Sequence, residues 1–390
     1  MFGIYLHFPF CIRRCKYCDF ITYAGKDELM ADYAASLISE LRIQRRQLPS
    51  LPSQVDTVFF GGGTPSLMRS DWVESVLNCI RGEFGLAPDT EITLEANPGT
   101  LSPALTNKLR EAGVNRLSIG VQSFFERDLD LLGRIHNRSQ AIEAIQTARE
   151  AGFCNLSLDL MFGIPGQSLA DWQANLEQAL ALNVDHLSLY SLILEPGTQL
   201  FNDVRDGKLE VASEELGADM YELALDTLAA EGYGHYEISN WSRGEEFEAR
   251  HNKIYWKNQP YLGVGAGAHS CINDLRVANT ASIEQYIERL LKASPQNASA
   301  FPAAVETIEL DAYTEQQETM MMGMRLTREG VLESAFQERF GVSIYQVFPN
   351  ELKRITARGL AKWRDFPDGP HLVLTRRGIL LGNQVFQEFV

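Results

Sequence analysis

The sequence predicts an α/β fold, a parallel sheet with helices outside it, followed by a smaller, mainly helical C-terminal domain. Three observations carry this. Six short apolar or alternating runs, at 4–7, 57–60, 91–96, 116–120, 156–161 and 186–194, are each followed by turn residues and a helical pattern, the signature of successive βα units. Residues able to do chemistry gather where those runs end, as they do at the carboxyl ends of parallel strands. Beyond about Ala303 the alternation stops. Periodicity does not say whether the sheet closes on itself.

The first run leads into Cys11-Ile12-Arg13-Arg14-Cys15-Lys16-Tyr17-Cys18, three thiols within eight residues. Inert packing is a poor account, because a core helix does not interleave cysteines with Arg13, Arg14 and Lys16. Zinc with His7 as fourth ligand is the stronger rival, yet no second cysteine pair follows and Cys79, Cys154 and Cys271 are scattered singly. A cubane iron–sulfur cluster usually takes four thiolates, so three would leave one iron open to a small-molecule ligand.

The later strand ends are equally unusual. The second run is followed by Gly61-Gly62-Gly63-Thr64-Pro65-Ser66, which lets backbone approach a ligand closely, although a plain turn explains a glycine triplet as well. It lacks the lysine and spacing of a phosphate loop. The third ends in Glu95-Ala96-Asn97-Pro98, a carboxylate at a strand rim. The fourth gives Ser118-Ile119-Gly120-Val121-Gln122-Ser123, with Arg134 beside His136 in the next helical segment. Arg134 suits a carboxylate, to which its fork donates two parallel hydrogen bonds. The fifth carries Asp159 among apolar neighbours, and a charge inside a buried strand needs a partner.

Composition sets the outer limits. The 390 residues suffice for two or more domains and a sizeable core, and 45% hydrophobic content is ordinary for a globular protein. With 51 acidic against 35 basic residues the net charge is −16, which argues against nonspecific nucleic-acid binding because phosphate contact needs a basic face. No stretch is long and apolar enough to span a bilayer, and Met1-Phe2-Gly3 does not open a signal peptide. The expectation is a cytoplasmic protein, whose reducing surroundings keep thiolates available to metal.

The Cys-x3-Cys-x2-Cys spacing, the Gly-Gly-x-Thr-Pro loop and the later strand ends resemble the radical S-adenosylmethionine (SAM) superfamily. The resemblance implies an incomplete (β/α)6 TIM-like barrel over 1–235, with a [4Fe-4S] cluster held by Cys11, Cys15 and Cys18 after its first strand. SAM then chelates the fourth iron and is cleaved to a 5′-deoxyadenosyl radical. By the same resemblance Gly62, Gly63 and Thr64 contact the SAM amino group, while Glu95, Gln122, Arg134 and Asp159 hold its ribose, adenine or carboxylate. Tyr5 would lie near the sulfonium and Tyr17 on the adenine; packing around the cluster is the other reading of both.

Two further strings narrow the family. His251-Asn252-Lys253-Ile254-Tyr255-Trp256 follows Tyr236-Glu237-Ile238-Ser239-Asn240-Trp241, and Gly263-Val264-Gly265-Ala266-Gly267-Ala268-His269-Ser270 comes soon after. They resemble HemW-type proteins, haem chaperones of this superfamily. This implies haem as ligand, a haem acceptor protein, an electron donor and a cluster-dependent homodimer. Region 236–302 becomes a connecting or haem-site region, with His251 and His269 as candidate axial ligands and Tyr255 and Trp256 as aromatic wall or ordinary core. The alternative is an oxygen-independent coproporphyrinogen III dehydrogenase, which decarboxylates two propionates to give protoporphyrinogen IX. That enzyme has a fourth cysteine where this chain has Phe20, and an N-terminal arm where ten residues precede Cys11. Both differences favour the chaperone.

The remaining residues, 303–390, predict a C-terminal domain of winged-helix type. A long amphipathic helix is expected over 306–326, with Met320, Met321, Met322 and Met324 packing rather than binding haem, and a hairpin-like element over 371–378. The acidic balance makes a substrate lid or partner surface the expectation, not a DNA reader.

Overall fold

In the computed structural model, which describes residues 1–294, 296 and 298–390, the six runs are six strands: β1 (Gly3–Phe8), β2 (Val55–Gly62), β3 (Leu86–Ala96), β4 (Arg116–Gln122), β5 (Leu156–Phe162) and β6 (His186–Ser191). They pair in sequence order, all parallel. β1 is not an edge. Its other side pairs, again parallel, with Tyr261–Val264, and the strands His269–Ile272, Leu275–Asn279 and Ala304–Glu309 continue the sheet outward.

Strand alternation decides what each face does. One set of alternates, including Ile4, Leu6 and Phe8 of β1, Leu117, Ile119 and Val121 of β4, and Leu156, Leu158 and Leu160 of β5, is apolar and fully buried. The other set is largely polar, and the register lines it up in layers. Thr93 stands beside Arg116, Glu95 beside Ser118, Ser118 beside Ser157, Gly120 beside Asp159, and Asp159 beside Ser188. A sheet that covers its apolar side with helices and turns a polar side inward is built to hold a polar ligand.

The chain forms two compact units, residues 1–220 with 260–308 and residues 221–259 with 309–390. This differs from the linear division at 235 and 302, because 236–302 is shared between units. Within the second unit, Ile238 N donates to Arg325 O at 3.1 Å and Thr327 Oγ1 to His235 O at 3.0 Å. Lys253 and Lys257 both pair with Glu329. These bonds are long-range in sequence, which is why no local pattern announces them.

The long helix expected over 306–326 is corrected. Ala304–Glu309 is a strand, and the helix Ala312–Gly323 starts only after Asp311, whose side chain accepts from Thr314 N at 2.7 Å. Val305, Thr307 and Ile308 are β-branched and favour extended backbone, and an aspartate capping those N–H groups marks a helix start. Met320 and Met324 are fully buried with Phe336, Phe348 and Leu372, as packing residues are. The hairpin is Ala361–Phe366 with Gly369–Leu374, joined antiparallel by Val331–Leu332; residues 375–378 open a helix instead, capped by Thr375 on Gly378 N at 3.0 Å. Among the described residues no helix is long and apolar enough to cross a membrane.

Candidate functional site

The cysteine loop leaves β1 and is fastened on two sides. Gly63 N and Thr64 N donate to Phe8 O and Phe10 O, each at 2.9 Å, and Lys16 N donates to Leu132 O at 2.9 Å. The basic residues between the cysteines have work of their own. Arg13 Nη2 reaches Gly133 O at 2.8 Å and Arg134 O at 2.6 Å, and Lys16 Nζ reaches Asp130 O at 3.2 Å. These carbonyls lie at the end of the helix Glu126–Leu132, where the helix dipole favours cations.

That clamp brings the predicted residues to one place. Cys11, Cys15, Cys18, Tyr17, Gly62, Gly63, Thr64, Glu95, Gln122, Arg134 and Asp159 all line a single cavity of about 360 Å³, a volume suited to a small-molecule cofactor. None of the three thiols is in a disulfide. Burial pushes the Cys11 and Cys18 thiols above their ordinary value. Thr64 Oγ1, 3.5 Å from Cys11 Sγ, opposes that rise at Cys11, and Arg134 Nη1 lies 3.5 Å from Cys15 Sγ.

Zinc fares poorly. His7 is engaged at both ring nitrogens, Nδ1 with Tyr5 Oη at 3.0 Å and Nε2 with Ile21 O at 2.9 Å. Among the described residues no three His, Cys, Asp or Glu side chains converge on a point where one ion could sit.

The glycine triplet is more than a turn. Gly62 has φ +108°, and a Cβ there would stand 2.5 Å from the His7 ring; a Cβ on Gly63 would stand 2.6 Å from Phe10 O. Only glycine allows β2 to run this close to the cysteine loop. Gly62 N also donates to Glu95 Oε2 at 3.1 Å.

The carboxylates and the arginine line the same cavity. Burial, then the neighbouring Asp159 charge, pushes Glu95 up to about 7. Burial likewise raises Asp159 against the pull of Ser188, Ser118 and Arg116, with Ser118 Oγ donating to Asp159 Oδ1 at 3.1 Å. Arg134 Nη2 donates to Gly120 O at 2.6 Å. At this point the β4–β5 ladder shifts register between Gly120 and Gln122, and Gln122 takes the left-handed φ of +70°. A bulge with a strained non-glycine residue is a common device for re-aiming a side chain at a site.

Some residues fall elsewhere. Tyr5 lies beside the cavity, not in its wall, its ring stacked on Phe59 at 6.1 Å. His251, Tyr255 and Trp256 belong to the second unit and His269 to the first. His251 is 1% exposed and its Nε2 meets Tyr255 Oη at 2.9 Å, whereas His269 is exposed on the strand His269–Ile272. Arg116 was not foreseen. It is buried on β4 and is a positive neighbour to both Glu95 and Asp159. Its signal was the alternation Arg116, Ser118, Gly120, Gln122 on one strand face.

Comparison with known proteins bears on the whole chain. A family model described as the radical SAM superfamily matches residues 5–179, and one described as the HemN C-terminal domain matches residues 311–381. The chain is 37% identical to a protein of Bacillus subtilis named heme chaperone HemW, over 100% of this chain and 99% of that one. A protein of the same name from Mycobacterium tuberculosis is 37% identical over 98% of this chain and 93% of its own. Among solved structures, the coproporphyrinogen III oxidase HemN from Escherichia coli superposes with a TM-score of 0.82 at 22% identity, covering 100% of this chain and 89% of that one; this likeness reports the fold.

Proposed function

Because the chain belongs to the HemW family of the radical SAM superfamily, we propose that it binds haem and delivers it to an acceptor protein, without oxidase turnover. The observation that carries the reading is end-to-end similarity to proteins named haem chaperones. Phe20, 64% exposed and in the cavity wall, supports it, because the oxidase carries a cysteine there.

Membership in the superfamily implies a [4Fe-4S] cluster and SAM, and the cavity's residues fit both. Cys11, Cys15 and Cys18 would hold the cluster, with Thr64 and Arg134 favouring the ionised form of Cys11. Gly62, Gly63 and Thr64, with Glu95, Gln122, Arg134 and Asp159, would hold SAM, Arg134 offering its donor fork to the carboxylate. Tyr17, packed beside Leu132 and Met161, would cover the adenine, and Tyr5 would bear on the sulfonium from behind Gly61. Cluster and SAM together supply one-electron reductive chemistry. In this reading Glu95, at about 7, can hold or release a proton at the cavity wall.

For haem, His251 would supply the iron ligand in exchange for its hydrogen bond to Tyr255, with Trp256 as wall and exposed His269 as the rival ligand. The reading includes an electron donor, a cytoplasmic location and a homodimer formed when the cluster is present. The test is anaerobic incubation of reconstituted protein with SAM, a reductant and either haem or coproporphyrinogen III. Stoichiometric haem uptake with no protoporphyrin fluorescence is expected. Protoporphyrin formed at enzymatic rates would establish the oxidase instead.

A further inference from the structure

Buried polar atoms without a hydrogen-bond partner are rare in folded proteins, and in the second unit they concentrate beside the helix Arg250–Trp256. Both carboxylate oxygens of Glu237, Oδ1 of Asn240, Nε1 of Trp256, Oε1 of Gln259 and Nε of Arg325 are buried and unpartnered. Glu237 is 0% exposed. The N–H groups of Ser239 and Ile238 and the side-chain amide of Asn240 lie near its carboxylate, but none reaches it with hydrogen-bond geometry.

Arg325 is the centre of the group. Its guanidinium carbon lies 4.3 Å from the Phe386 ring centroid and 5.4 Å from that of Trp256, so two aromatic rings hold its plane. Its backbone carbonyl accepts from Ile238 N at 3.1 Å, which sets Glu237 alongside. Burial pushes the Arg325 guanidinium below its ordinary value and the Glu237 charge opposes that, yet no hydrogen bond joins the two. A buried guanidinium donor without an acceptor is costly, and the unpartnered Nε is one arm of a planar fork that a carboxylate matches.

We infer that Arg325, held between Trp256 and Phe386 and flanked by Glu237, is an anchoring site for a carboxylate ligand, namely a propionate of haem. This rests on the haem-binding reading above and adds to it the group that orients the macrocycle. The unpartnered Trp256 N–H is a second donor. Burial holds the Glu237 carboxyl up to about 7, so it can meet the incoming carboxylate as a hydrogen-bond donor instead of a like charge.

The test titrates the full chain with haemin and, separately, with haemin dimethyl ester, whose propionates cannot ionise. Losing a charge-assisted pair costs roughly tenfold or more in affinity, so the ester should bind wild-type protein about tenfold more weakly than haemin. Arg325→Gln should weaken haemin to the same degree and leave the ester unchanged. Equal affinity of wild-type protein for both probes overturns the assignment, as does discrimination that survives in Arg325→Gln. If that variant does not fold, the wild-type comparison still decides. Uptake of neither probe by wild-type protein would instead sink the haem reading itself, and this site with it.

Discussion

The cavity of the first unit and the hairpin-and-helix region of the second contain the same materials, buried carboxylates, an arginine and aromatic rings, and treat them oppositely. In the cavity each charged group already has a partner: Glu95 takes Gly62 N, Asp159 takes Ser118 and Ser188, and Arg134 gives to Gly120 O and Cys15 Sγ. Space is left for a ligand, and of these three groups only Arg134 keeps a buried atom, Nε, without a partner. In the second region Glu237 and Arg325 lie close and neither is satisfied. The first is preorganised, which costs little when a ligand arrives; the second keeps its polar groups unmatched until something comes between them.

The largest expected effect tests the completeness of the first site. Cys15→Ala removes one of three thiolates, and anaerobically reconstituted protein should lose both its broad visible absorbance and its bound iron. Retention of four irons per chain, measured by iron and sulfide analysis, would mean that another residue completes the cage. Next comes Arg134→Ala. It should weaken SAM roughly ten- to hundredfold, as loss of charged hydrogen bonds does, with the iron content unchanged. Unaltered SAM affinity by calorimetry would reduce Arg134 to a strut between Cys15 and Gly120.

The second region is tested by His251→Ala. If the buried imidazole exchanges Tyr255 for iron, the absorption of the haem complex should shift and affinity should fall severalfold. A spectrum identical to wild type, together with one altered by His269→Ala, would move the ligand to the exposed strand His269–Ile272 in the first unit. The contrast between a cofactor cavity in the first unit and a haem region in the second would then have to be redrawn.

Legibility in the sequence follows the same contrast. The cavity was readable because its parts sit in short contiguous strings at strand ends, and strand ends are where a parallel sheet gathers them. What escaped was information carried between strands. Arg116 reads as an ordinary strand start, and only the register shows that its two neighbouring strands carry Glu95 on one side and Asp159 on the other. Tyr261–Val264 escaped because it has four residues in a glycine-rich stretch, and its place beside β1 is fixed by Glu40. That buried side chain accepts from Gly265 N at 2.9 Å and Tyr286 Oη at 2.6 Å, partners more than 200 positions away in the sequence. Arg325 and Glu237 were hidden in the same way.

The smallest effect separates the two regions through their carboxylates. Glu95 and Glu237 are both raised from 4.5 to about 7, chiefly by burial. An acid whose pKa is higher folded than unfolded stabilises fully below the unfolded value, and that contribution is lost as pH rises through about 7. Each group should therefore cost on the order of 2 kcal/mol more at pH 8 than at pH 5, a shift of a few °C in Tm for a chain of this size. Glutamine cannot ionise. Relative to wild type, Glu237→Gln should gain Tm at pH 8 and gain little at pH 5, and it forfeits no hydrogen bond because the native carboxylate makes none. Glu95→Gln should lose a comparable slope while keeping an oxygen for Gly62 N. If only the Glu95 variant flattens the pH profile, Glu237 is reached by water and its charge is solvated. The second region would then be as satisfied as the first, and the case for a ligand completing it would fall.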